Sequence, residues 1–183
     1  MMYAQIVLDE FSLNDLRKNN GFWANKYGYQ IGCKSSDIYN IKNLYFQAEF
    51  NLVRPYTYAH HNPQQNYAHY NQPLAHPLGA NFSELLFILN YKKSKWEFSS
   101  KFTIAKYGGS FINDSISYGN DVYQSTGQFI EPNGFSYAGR PSDFGIKMYQ
   151  GNYTTVNTRM LSIAYILNPL TNLKINFQII NRD

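Results

Sequence analysis

Strict alternation of apolar and polar side chains constrains this chain more than any other feature. In Asn43–Arg54 the even positions are Leu44, Phe46, Ala48, Phe50 and Leu52, and the odd ones are Asn43, Tyr45, Gln47, Glu49, Asn51 and Val53. Successive side chains of a strand point to opposite faces, so the segment has one greasy face and one polar face. Lys95–Tyr107 repeats the pattern, with Trp96, Phe98, Phe102 and Ile104 against Lys95, Glu97, Ser99, Lys101 and Thr103. Asn172–Ile180 does so with Leu173, Ile175, Phe177 and Ile179. Weaker versions lie at Tyr3–Glu10, Tyr27–Ser36, Ser83–Tyr91 and Val156–Leu167. The expectation is about seven strands of roughly ten residues, the length a tilted strand needs to cross a bilayer. Their spans are 3–10, 27–36, 43–54, 83–91, 95–107, 156–167 and 172–180.

The connections separate two architectures that share this alternation. Short links near "DIYNIK", "KKSK" and "NPLT" alternate with long ones at Phe11–Lys26, Pro55–Phe82 and Gly108–Thr155. A soluble sandwich also gives each strand one greasy face, but compact domains mostly use loops of about 4–6 residues. Short turns at one end and long loops at the other are the plan of an up-and-down barrel in an outer membrane. Trp23, Tyr27, Tyr91, Trp96 and Tyr107 fall near predicted strand ends, where an aromatic girdle would meet lipid headgroups. Composition agrees: charged residues are only 15% and aromatics 17%, with 17 tyrosines. Mean hydropathy is −0.45, as a hydrated lumen face permits.

The expected fold is therefore all-β: an antiparallel up-and-down transmembrane β-barrel, here a partial barrel of about seven strands with long extracellular loops. A sheet in lipid leaves no edge unpaired, and bacterial barrels of this kind have even strand numbers. The 183 residues are accordingly expected to form a single region belonging to a larger barrel. "MMYAQIVLDE" lacks the pattern of a secretory signal, so the signal and further strands are expected to lie outside the sequence.

The segment Pro55–Phe82 holds all four histidines and four prolines, with no formal charge. A metal site from His60, His61, His69 and His76 has neither a carboxylate, a cysteine nor compact ligand spacing within the loop to recommend it. Carbohydrate binding fits better. Tyr56, Tyr58, Tyr67 and Tyr70 offer flat apolar faces, while Asn62, Gln64, Gln65, Asn66, Asn71 and Gln72 offer paired donors and acceptors. The candidate sugar-contacting residues are Tyr56, Tyr58, Tyr67, His69, Tyr70 and Asn71; packing of the loop on the barrel mouth is the competing role. Asp114 and Asp121 do not have calcium-loop spacing, and neither a phosphate cradle nor a hydrolase elbow is present. No cofactor or enzymatic activity is expected. The only lysine cluster is Lys92, Lys93 and Lys95, which argues against nucleic acid as a partner. Cys33 is alone, so an internal disulfide is excluded.

The run "FQAEFNLVRPYTYAHHNPQQNYAHYNQPLAHPLGANFSELL", with "LDEF", "GFWANKYGYQIG", "IKNL" and "RPSDFGIKMYQGN", resembles a family of Bacteroidetes outer-membrane proteins. These are gliding motility proteins of the RemB type, grouped with the capsule assembly Wzi family. The resemblance implies a large outer-membrane β-barrel of which this chain is the C-terminal part. It also implies a non-enzymatic surface role in polysaccharide attachment, or in adhesion linked to gliding. Outer-membrane lipid, surface polysaccharide and other gliding or surface proteins are the implied partners. The alternative is a porin-like channel with a polar lumen. Ending on "NFQIINRD" rather than an aromatic-terminated strand, the chain departs from the usual barrel terminus, and a final strand is expected beyond it.

Overall fold

A computed structural model of the chain describes residues 1–70, 72–112, 116–127 and 139–183. Seven long strands dominate: β1 (Met2–Leu8), β2 (Tyr27–Ser36), β3 (Leu44–Val53), β6 (Phe82–Lys93), β7 (Trp96–Gly109), β8 (Asn152–Asn168) and β9 (Leu173–Arg182). Two short ones, β4 (Ala68–His69) and β5 (Gln72–Pro73), form a separate small ladder within the histidine-bearing loop. The seven pair in sequence order, every neighbour antiparallel, which makes one open up-and-down sheet. Each expected strand is present. The largest difference is at β8, which starts at Asn152 instead of Val156, because "NYTT" pairs with the end of β7 without alternating in hydropathy.

The short turns are shaped by residues that tolerate left-handed backbone. Asp37, Tyr39, Asn40 and Asn43 between β2 and β3 all have positive φ, as do Ser94 between β6 and β7 and Asn172 before β9. Asp and Asn accept this conformation more readily than other non-glycine residues. The Asp37 carboxylate closes the first turn by accepting from the Asn43 amide at 2.6 Å. In the first long loop, α1 (Leu13–Lys18) starts at the Ser12 cap and ends at Asn19 in the left-handed region. The Ser12 hydroxyl beside Asp15 holds that carboxyl below its ordinary range.

The register sorts most of the side chains between two faces. Ala4, Ile31, Phe50, Leu85 and Ile104 are successive cross-strand partners on one face, as are Phe46, Leu89, Ser100, Leu161 and Ile179. Among the described residues no layer covers this face: Ile6, Ile31, Leu161, Ile175 and Phe177 are each at least half exposed. The apolar belt steps down on β8, where Arg159 follows Leu161 on the same face and is solvent-exposed. The opposite face is more polar, although Leu86, Ile88, Met160 and Ile180 share its parity, and it carries a hydrogen-bonded network. Tyr3 donates to Glu49 at 2.5 Å, Asn51 donates to the other Glu49 oxygen at 2.9 Å, and Gln47 bridges Tyr3 and Glu49 at 3.0 and 3.3 Å.

The long loops fold onto the polar face at their own end of the sheet. There Val53, Ala80 and Phe82 form the apolar centre, with Tyr58, Leu78 and Tyr107 packed against it. Fixing the loops falls largely to buried polar groups. Asn81, at φ 57°, donates from its amide to the carbonyls of Gly108 (2.8 Å), Gln150 (2.9 Å) and Tyr118 (3.2 Å), and accepts from the Tyr149 amide at 2.6 Å. Lys26 is fully buried; its ammonium donates to the Ala59 carbonyl at 2.8 Å and pairs with Glu10 at 3.0 Å. Buried charge persists only when paired and hydrogen-bonded in this way.

The expected girdle needs correction at two positions. Trp23 lies within the loop assembly, with Lys26 and Arg140 over its ring at 4.9 and 3.9 Å. Tyr107 points to the polar face, into the cluster around Phe82. Tyr91 and Trp96 do lie on the apolar face beside the short turns, where Phe98 stacks near both and Trp96 meets Tyr165 edge-on at 4.9 Å.

Candidate functional site

Between the histidine loop and the polar face of β1–β3 lies a cleft of about 560 Å³. Its floor is built from strand residues of polar-face parity: Gln5, Gln30 and Asn51 present amides, and Val7 and Val53 present apolar surface. The loop supplies the wall. Tyr58 and Tyr67 stack there with ring centroids 5.5 Å apart and planes at 23°. Backbone pairing holds that geometry, since the Tyr67 amide donates to the Tyr58 carbonyl at 2.9 Å and the Leu74 amide to the Tyr67 carbonyl at 3.1 Å. Tyr58 is half-buried, and burial pushes its phenol up. Tyr67 keeps 52% of its surface exposed.

Two histidines tie the loop to the strands on the cleft's borders. His60 Nε2 lies 3.4 Å from Asp9, and His76 Nε2 lies 3.2 Å from Glu84. His76 also stacks on Phe82 at 4.5 Å, and its Nδ1 accepts from the Leu78 amide at 3.2 Å. With Nδ1 accepting, the proton that faces Glu84 belongs to Nε2. Among the described residues, no three His, Cys, Asp or Glu side chains come together as metal ligands would.

The six candidate residues scatter. Tyr58 and Tyr67 come together at the cleft. His69 and Tyr70 project from the β4–β5 tip, in edge contact at 4.3 Å, and Tyr70 is 88% exposed. Asn71 lies outside the described residues, as does Asp114. Tyr56 does not belong to a surface site: it is fully buried, its hydroxyl donates to the Ser117 carbonyl at 2.7 Å, and Trp23 meets its ring edge-on. Burial pushes its phenol well above the ordinary range. Asn66 is likewise an internal brace, accepting from the His60 amide at 2.6 Å and donating to the Val122 carbonyl.

The strand residues of the floor escaped notice in the sequence because each reads as one more member of a polar row. Parity was the available signal. Gln5, Gln30 and Asn51 are mutual cross-strand neighbours once the pairing is known, and "LDEF" places Asp9 just past the end of β1. A stacked aromatic pair facing amides and two carboxylate-held imidazoles makes a cleft suited to polyhydroxylated, uncharged ligands.

Comparison with known proteins adds no neighbour: protein-family models, curated proteins and solved structures were searched and none matches this chain.

Proposed function

We propose that the chain is part of a transmembrane β-barrel of an outer membrane, and that its loop assembly binds neutral surface polysaccharide without catalysing a reaction. The supporting observation is the division of the sheet: an apolar face with no covering layer among the described residues across seven strands, and long loops that fold onto the opposite, more polar face. A soluble protein rarely exposes a contiguous apolar patch of more than a few hundred Å², whereas lipid requires one. Open edges at β1 and β9 fit a sheet completed by further strands, because lipid tolerates no unpaired edge. The resemblance to the RemB and Wzi group points the same way and assigns the polysaccharide role to capsule attachment or gliding adhesion.

The binding half of the proposal rests on the cleft beneath Tyr58 and Tyr67. Binding of neutral polysaccharides to the complete barrel that contains the chain, refolded in vesicles and measured at low and high salt, tests it. Affinity should be nearly independent of salt, since no counterions are released. Steep salt dependence or sensitivity to a chelator would contradict it.

A porin-like channel is the second reading, favoured by Gln47, Glu49 and Lys101, which share the face below the loops with Ile88 and Leu86 between them. Ion conductance across a planar bilayer would favour the channel.

A further inference from the structure

A second cleft, of about 430 Å³, opens at the opposite border of the loop assembly. Its sheet wall is Tyr27, Tyr29 and Leu52, which the register places on the apolar face: Tyr29 pairs with Ile6 and Leu52, and Tyr27 with Leu8. The site therefore sits where the apolar belt ends and the long loops begin. Two cations line it. Arg54 lies over the Tyr27 ring at 5.4 Å, and the exposed Lys147 stands in the loop before β8. Neither has a carboxylate partner among the described residues. The acid in the lining, Asp15, has one oxygen taken by the Ser12 hydroxyl at 2.6 Å and the other by the Asn20 amide at 3.0 Å.

The loop wall is built rather than incidental. The Gly145 amide donates to the Asn20 carbonyl and the Ile146 amide to the Gly21 carbonyl, each at 2.9 Å, which zips the two loops together. Gly21, at φ +68°, admits no side chain there, because a Cβ would stand 2.8 Å from the Ile146 nitrogen. Phe22 and Phe144 pair beside it with centroids 5.5 Å apart, and Phe144 is half exposed.

We infer that this cleft holds the phosphate headgroup of an anionic membrane lipid, with Arg54 and Lys147 on the phosphate and Tyr29 and Leu52 against the start of the acyl chains. The charge complementarity selects an anion, and continuity with the apolar face selects one that carries a lipid tail. Guanidinium and ammonium groups at a membrane surface attract anionic headgroups, and aromatic rings anchor at the same depth. The inference rests on the membrane reading above.

Native mass spectrometry of the complete barrel that contains the chain, released from micelles doped equally with phosphatidylglycerol and phosphatidylcholine, tests it. Phosphatidylglycerol should be retained preferentially. Arg54→Gln with Lys147→Gln should erase the preference, by about five-fold for each charge removed. The charge-conserving pair Arg54→Lys with Lys147→Arg should keep it, as should Lys101→Gln on the polar face, which separates the effect from misfolding. Displacement of the lipid by soluble glycerol phosphate would overturn the lipid assignment. A complete barrel folded in micelles with no headgroup preference would overturn the site alone, whereas one that stays out of micelles altogether would overturn the membrane reading with it.

Discussion

Tyr58 and Tyr67 stack at 5.5 Å on the wall of the main cleft, one ring half-buried against the loop core and the other half exposed to the cavity. The inner ring backs the outer one, so Tyr67 presents a face already fixed in orientation. A rigid aromatic surface loses little conformational entropy on binding.

Tyr67→Ala should therefore weaken polysaccharide binding by about 1–3 kcal/mol if the ring lies at the contact centre. Tyr70→Ala, at the exposed hairpin tip, tests whether the ligand extends beyond the cleft. Replacing His69 should matter less than either ring. Binding isotherms on vesicle-inserted variants measure the difference, and undiminished binding by both tyrosine variants would leave the stacked pair a purely structural role.

Asn81 should behave differently, as a brace with no part in binding. Its amide serves carbonyls from the end of β7, the Tyr118 segment and Gln150 just before β8, and its backbone is left-handed. Asn81→Ala strands several buried polar groups and should cost at least about 2 kcal/mol in denaturant unfolding of the loop assembly. Asn81→Gly relieves the backbone strain alone and should recover only a minor part of that loss.

The loop assembly should also lose stability at high pH through Tyr56. Burial raises its phenol above the ordinary value of 10.0, so both folded and unfolded forms are protonated below that value and its contribution is intact there. As pH rises past it, the unfolded chain ionises first, and stability falls until the folded-state value is passed. Tyr56→Phe should flatten this alkaline slope while losing the hydrogen bond to Ser117. Stability measured against pH in the two proteins checks the sign, and an unchanged slope would show that Tyr56 is not its source.

Strand positions were legible because the period-two pattern is local and the turns carry Asp, Asn and Ser where left-handed backbone is needed. The expected span of β2, 27–36, matches the observed strand to the residue. The ring girdle was only half legible. Trp23 and Tyr107 sit near strand ends in sequence, yet cation–ring contacts and the Phe82 cluster hold them on the polar side. The candidate site shows the same limit. Tyr56 and Tyr67 are indistinguishable as letters in one loop, and the partners that hold the first inside, Trp23 and Ser117, lie far from it along the chain. The cleft's amide floor depends on strand register, which fixes faces but is not written in any single strand.

The central claim is that the apolar face meets lipid, and the adjacent pair Phe46 and Gln47 tests it most directly, because they point to opposite faces of β3. The complete barrel to which the chain is assigned, unfolded in urea, is diluted into phosphatidylcholine vesicles and its insertion free energy measured for Phe46→Arg and Gln47→Arg. Phe46→Arg should cost on the order of 2–4 kcal/mol if it lies near the bilayer midplane, while Gln47→Arg on the polar row is tolerated. Equal losses from the two substitutions, or a larger loss from Gln47→Arg, would contradict the assignment of the apolar face to lipid.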